Sequence, residues 1–130
     1  MARQKHPRQT VLHSFANAFA GLGRFSRERN TRIQLAVGVI AIAAGIGFRI
    51  DRMEWIAVVL SIGLVLGLEG LNCALERAVD LASPDYHLLA RDAKDFAAGA
   101  VLVASITALI VGLLIFGPHL TALARPSGSP

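Results

Sequence analysis

Residues 55–80 read W-I-A-V-V-L-S-I-G-L-V-L-G-L-E-G-L-N-C-A-L-E-R-A-V-D, an apolar run that passes into a polar stripe with no helix breaker between them. From Trp55 to Leu68 only Ser61 interrupts the apolar side chains. Glu69, Asn72, Glu76 and Asp80 then follow at i, i+3, i+7 and i+11, which at about 100° per residue places them within a sector of about 80° on one helix face. A carboxylate at or just within a membrane boundary costs up to about 2.5–3.5 kcal/mol unless something compensates for it. A solvated helix face, or one boundary carboxylate reaching for water, accounts for a single residue of this kind. Four polar groups on one stripe, with a His and a Lys-Asp pair soon after, point to a functional site.

Working back from that stripe, the composition fits a membrane protein of one domain. Of 130 residues, 54% are hydrophobic and only 17% charged, and the mean hydropathy is +0.54, more apolar matter than a small soluble domain buries. The net charge of +4 does not mark a nucleic-acid binder, because the basic residues bunch ahead of the first apolar run and one Trp and one Tyr leave few stacking platforms. Cys73 is the single cysteine, which rules out an internal disulfide and a zinc cluster and leaves a small residue at a helix interface.

The rest of the chain flanks the stripe on both sides. Residues 1–9 are basic and polar and read as a disordered start, and the thirty or so polar and amphipathic positions before the first long apolar run argue against a cleavable signal. Over residues 10–25, Leu12, Phe15, Phe19 and Leu22 recur at helical spacing opposite His13, Asn17 and Arg24, predicting an amphipathic helix at the membrane interface. Residues 24–32 hold four arginines around Glu28, a topogenic cluster; Glu28 is either ion-paired there or returns to the face of Glu69 and Glu76 to help hold a cation. A first span is expected over about 31–48, a second over about 55–81 and a third over about 91–116, with Gly63 and Gly67 as a G-x-x-x-G contact in the second. Arg49–Glu54 reads as the outer loop, Ser83-Pro84 ends the second helix, and Gly117-Pro118 ends the third, leaving 117–130 as a flexible tail. Seven of the thirteen Lys and Arg residues lie ahead of Ile33, so the N-terminus and the polar stripe are expected on the cytoplasmic side of the membrane and the C-terminus outside.

Carboxylates, an amide and a Lys at one membrane surface suit phosphoryl transfer, which needs in-line positioning, a cation on the phosphates and a base near the accepting hydroxyl. Carboxylates are natural ligands of Mg²⁺. Glu69, the deepest acid, is placed to take a proton from a lipid hydroxyl, and Lys94 to neutralise phosphate. Asp85-Tyr86-His87 reads equally well as an ordinary turn. No G-x-x-x-x-G-K-S/T, H-R-D, D-F-G or H-E-x-x-H occurs, so a nucleotide site here is nonstandard.

These residues resemble the small integral-membrane prokaryotic diacylglycerol kinases, which include the undecaprenol kinases. The shared pattern is E-R-N-x-R-I at 28–33, E-x-x-N-x-x-x-E-x-x-x-D at 69–80, and S-P-D-Y-H-x-L-A-R-x-A-K-D-x-A-A-G-A-V-L at 83–102, with likeness over about 11–116. The resemblance implies an all-α homotrimer, each subunit with one amphipathic surface helix and three spans, and active sites shared between subunits. It implies an ATP-dependent transfer of phosphate to the hydroxyl of diacylglycerol or undecaprenol, with the E-R-N-x-R-I and S-P-D-Y-H forms leaning toward undecaprenol. It also implies Glu69 as catalytic base with Asn72 beside it, Glu28 and Glu76 on the metal that accompanies ATP, and Asn17, Glu28, Glu76, Asp85, Tyr86, His87, Lys94 and Asp95 on the nucleotide. Glu69 and Ala98 correspond to lipid-substrate positions. The chain departs from the family form at Asn17, where a Tyr is common, near Ala20, and at Thr31 and Gln34, which replace an aromatic and a His near the lipid-facing opening.

Two other classes compete. A membrane scaffold that keeps the fold without activity predicts no effect of Glu69→Gln, and the intact acidic stripe disfavours it. An ion or proton path needs polar residues through Trp55–Leu68, where Ser61 stands alone.

Overall fold

The computed structural model describes residues 10–124, and these form four helices in chain order. Helix α1 spans Val11–Phe25, α2 Arg29–Phe48, α3 Arg52–Ala82 and α4 Leu88–Ala124. Helices α2, α3 and α4 are each long and apolar enough to cross a membrane. Large apolar side chains on all three, among them Val37, Leu64 and Leu109, stand more than half exposed, as expected where hydrocarbon rather than water is the surrounding medium. The expected disordered start over 1–9 and the last residues of the expected tail, 125–130, lie outside the described residues.

The connection between α2 and α3 is only three residues long. Arg49 takes the left-handed conformation at the end of α2, with φ 54° and ψ 47°, and the Ile50 amide bonds back to the Gly45 carbonyl at 3.1 Å, satisfying carbonyls that the helix end leaves open. Asp51 then caps α3. Its Oδ1 accepts from the Met53 and Glu54 amides at 2.7 and 2.9 Å, while Glu54 Oε2 accepts from the Asp51 amide at 2.8 Å, a reciprocal capping box. The sequence reading made all of Arg49–Glu54 a loop; the capping box draws Arg52, Met53 and Glu54 into the helix instead.

At this end of the bundle Ile50, Val58 and Ile115 form a buried cluster, flanked by Phe48, Trp55 and Phe116. Gly45 makes the approach possible: a Cβ there would lie 2.9 Å from Trp55 Cη2 and 3.0 Å from Ile50 Cδ1. Gly45→Val is therefore expected to lower the unfolding midpoint in detergent, by about 1–3 kcal/mol of stability. Gly47→Val, whose Cβ meets nothing within 4 Å, is the control and should leave the midpoint in place. One turn-pair away, Gly38 seats Ile62 of α3, with Cγ2 at 3.4 Å from the Cβ position. Within the chain the expected contact at Gly63 and Gly67 is not made, since a Cβ at either would meet nothing within 4 Å.

Helix α3 ends before Ser83-Pro84, and its longest interface is with α4. Helix α4 does not stop at Gly117-Pro118 but continues to Ala124 with Pro118 inside it. Proline removes one amide donor and crowds the carbonyl four residues back; neighbouring side chains can re-satisfy the backbone groups that such a proline frees. The freed carbonyl here is that of Leu114; past it, Thr121 Oγ1 donates to the Pro118 carbonyl at 2.9 Å, His119 Nδ1 lies 2.9 Å from the Ile115 carbonyl, and the His119 ring rests 5.4 Å from that of Phe48 on α2. Residues 117–124 are thus helix rather than tail.

Helix α1 buries no residue, and Leu12, Phe15, Phe19 and Leu22 are exposed. Its last residue is anchored: the Phe25 ring lies 3.9 Å from the Cβ position of Gly70 on α3, which holds the α1–α2 turn against the polar part of α3.

Candidate active site

The α1–α2 turn and one face of α3 enclose a polar cavity of about 140 Å³ lined by Glu28, Arg29, Asn30, Glu69, Asn72, Cys73 and Glu76. Helical periodicity supplies the α3 side, since residues 69, 72, 73 and 76 fall on one face. The turn supplies the other. Glu28 occupies the N-cap position of α2 but makes no capping bond; its carboxylate crosses instead to the Arg77 guanidinium on α3. Glu28 is thus ion-paired, but with Arg77 rather than with the arginines around it in sequence, and it lines the same cavity as Glu69 and Glu76. Arg77 is not visible as this partner in the sequence, where four arginines lie nearer to Glu28.

Glu69 is 3% exposed and Asn72 7% exposed, the two most buried polar groups of α3. Glu69 Oε2 accepts a 3.3 Å bond from Gln34 Nε2 on α2, and Asn72 Nδ2 donates to Glu76 Oε1 at 3.1 Å. Among the described residues three buried oxygens remain without partners: Thr31 Oγ1, Gln34 Oε1 and Asn72 Oδ1. Buried acceptors of this kind cost about 1–3 kcal/mol each and call for a ligand or a function to justify them. Cys73 is free and half-buried in the cavity wall rather than only at a helix interface.

The other expected site residues lie apart from this cavity. Asp80 shares the stripe but turns to Lys94 on α4, and the two form an ion pair that ties the helices together. Asp95 pairs with Arg91 at 3.5 Å along α4. His87 starts α4, its Nδ1 accepting from the Leu89 amide at 3.2 Å and its carbonyl from the Arg91 amide at 3.1 Å. Ser83 Oγ donates to the Asp85 carbonyl at 3.1 Å, which folds the connection that carries Asp85 and Tyr86. Asp85, Tyr86, His87 and Ala98 are exposed, as is Asn17 on α1.

The donors fit a hard divalent cation in part. Glu28 and Glu76, which share a cavity with Glu69 and the orphaned Asn72 Oδ1, suit Mg²⁺ in ligand type. Yet among the described residues no group of three or more His, Cys, Asp or Glu side chains is arranged to hold an ion.

A second, larger cavity adjoins the first. It is an apolar groove of about 540 Å³ between α2, α3 and α4, running from Ile33 and Gln34 to Phe48, Phe116 and Leu120. A polar cavity with paired acids thus abuts a hydrocarbon-lined groove, a combination suited to chemistry on the polar head of an apolar molecule.

Comparison with known proteins identifies the family. The model of the prokaryotic diacylglycerol kinase family matches residues 16–116. The chain is 41% identical over 108 residues to the undecaprenol kinase of Bacillus subtilis, covering 82% of this chain and 88% of that one. It is 44% identical over 115 residues to the diacylglycerol kinase of Synechocystis sp., covering 87% and 66%, and 32% identical over 81 residues to the diacylglycerol kinase of Escherichia coli K12, covering 62% and 66%. With a family match over most of its length and a relative at this identity spanned almost end to end, the chain belongs to the prokaryotic diacylglycerol kinase family.

Proposed function

We propose that this chain is an integral-membrane, ATP-dependent lipid kinase that transfers the γ-phosphoryl group to the hydroxyl of undecaprenol or diacylglycerol. The observation that carries the reading is the buried Glu69 carboxylate, held between a polar cavity and an apolar groove. In this mechanism the lipid chain lies in the groove and its hydroxyl meets Glu69. The hydroxyl oxygen forms a bond to the γ-phosphorus as the bond to the β,γ-bridging oxygen breaks. ADP departs, and the hydroxyl proton passes to the Glu69 carboxylate. Asn72 keeps Glu76 oriented through their hydrogen bond.

Glu28 and Glu76 would hold Mg²⁺, which when bound offsets the charge of the phosphates. Arg77 then shares or yields the Glu28 carboxylate. Lys94, one helical turn beyond Glu76 by way of Asp80, would exchange its carboxylate partner for phosphate, and Asp95, Asp85, Tyr86, His87 and Asn17 would complete the nucleotide side, with Ala98 near the lipid. Because these residues lie outside the cavity of the single chain, the reading includes a homotrimer in which neighbouring copies complete each site. The open faces of Gly63 and Gly67 support such contacts. The exposed aromatic face of α1 supports an interfacial helix, and the arginines before α2 support a cytoplasmic N-terminus and site.

The test is transfer of labelled γ-phosphate from ATP to undecaprenol and to diacylglycerol in mixed micelles with Mg²⁺. We expect transfer to at least one lipid, with undecaprenol favoured on the E-R-N-x-R-I and S-P-D-Y-H forms. Folded protein that phosphorylates neither lipid would overturn the proposal.

A further inference from the structure

The two cavities share no lining acid, and one side chain joins them. Gln34 lines the apolar groove and not the polar cavity; Glu69 lines the polar cavity and not the groove. The 3.3 Å bond from Gln34 Nε2 to Glu69 Oε2 spans the boundary between them. That bond is the one protein hydrogen bond which the Glu69 carboxylate accepts among the described residues, although a carboxylate has about four acceptor positions. The orientation of the most deeply buried acid of the site thus depends on a single amide from the facing helix.

The amide is committed to this task at a cost. With Nε2 turned to Glu69, Gln34 Oε1 stays buried and unpartnered, as does Thr31 Oγ1 one turn earlier on the same face of α2. A purely structural amide in such a place would ordinarily have both ends satisfied. Gln34 also stands where the polar and apolar parts of the α2–α3 seam meet, since the next residue on that face, Gly38, already packs against Ile62.

We infer that Gln34 is a positioning residue for phosphoryl transfer: its amide N–H holds the Glu69 carboxylate at the mouth of the apolar groove, so that an acceptor alcohol whose chain lies in the groove meets the base with its hydroxyl. The inference rests on the kinase reading above and goes beyond it by assigning the orientation of the base to α2. A helix-to-helix clamp without a part in the reaction predicts a loss of stability on removal of the amide. A positioning role predicts a loss of turnover in a chain that folds and binds nucleotide normally.

The experiment uses the full chain in mixed micelles with Mg²⁺-ATP and the lipid that the wild type phosphorylates. Gln34→Met keeps length and apolar packing but removes the donor. It should lower kcat by on the order of 10–100-fold, the penalty for a misplaced reacting group, with the ATP KM changed by less than about 2-fold and the thermal midpoint retained. Gln34→His, whose ring N–H supplies a donor from the same position, should recover most of the lost rate. Should Gln34→Met fail to fold, Gln34→Ala, which deletes the amide without adding bulk, carries the same expectation. Wild-type kcat in a folded donor-less variant, equal impairment of Gln34→His, or a rate loss that merely follows unfolding would each overturn the inference. Active wild type with an unimpaired Gln34→Met removes this inference alone, whereas inactive wild type removes the kinase reading and the inference with it.

Discussion

Glu69→Gln is expected to cut lipid phosphorylation by about 10²–10⁴-fold in kcat, the range that a positioned general base contributes, while ATP KM and the unfolding midpoint stay near wild type. The substitution keeps the volume of a side chain that is 3% exposed and retains a carbonyl oxygen to accept from Gln34. What it removes is the capacity to take up a proton. Single-turnover measurement of labelled lipid, with nucleotide binding followed separately, separates this loss from a packing defect. A variant that still transfers phosphate at more than about a tenth of the wild-type rate would take the role of base away from Glu69 and leave the class of reaction intact.

Glu76→Gln should act through the cation instead. Asn72 Nδ2 already donates to Glu76 Oε1, so the amide variant preserves shape but loses the charge that a hard cation needs. The Mg²⁺ concentration giving half-maximal rate should rise by at least the roughly 10–100-fold seen when even an indirect metal partner is removed. Mn²⁺ binding in the presence of a nonhydrolysable nucleotide, followed by electron paramagnetic resonance, should weaken in parallel. An unchanged Mg²⁺ dependence would mean that Glu76 serves only to orient Asn72.

The heart of the site was legible because period and position coincide in it. Glu69, Asn72 and Glu76 fall on one helical face in the sequence and line one cavity in the structure. Asp80 obeys the same period but leaves the group, since a spacing rule fixes the direction of a side chain and says nothing of a Lys94 on another helix that draws it away. Gln34 and Arg77 were not legible as partners of Glu69 and Glu28, for both lie across helix boundaries and their pairing depends on register between α2 and α3. The glycines show the same limit. G-x-x-x-G spacing singled out Gly63 and Gly67, while the close approaches within the chain fall at Gly38 and Gly45, chosen by the shapes of Ile62 and Trp55 opposite. Two errors at helix ends have different origins. The D-x-x-E pattern of Asp51 and Glu54 was a readable start signal that charge balance obscured. Pro118 is a stop signal that the helix passes through, its last turns held by the His119 ring against Phe48 on α2.

The three-residue connection at Arg49–Asp51 has a consequence for how the chain tolerates change. With so little slack, it works as a ruler: counted from this tip, Gly45 faces Trp55 and Gly38 faces Ile62 at equal distances along the two arms, and the same register brings Gln34 to Glu69. One extra residue in the first turn of α3 would advance everything beyond it by about 1.5 Å and swing it by about 100°, carrying the acid off the amide that faces it. Deletions and insertions at this tip are therefore changes to the candidate site at the other end of the helices.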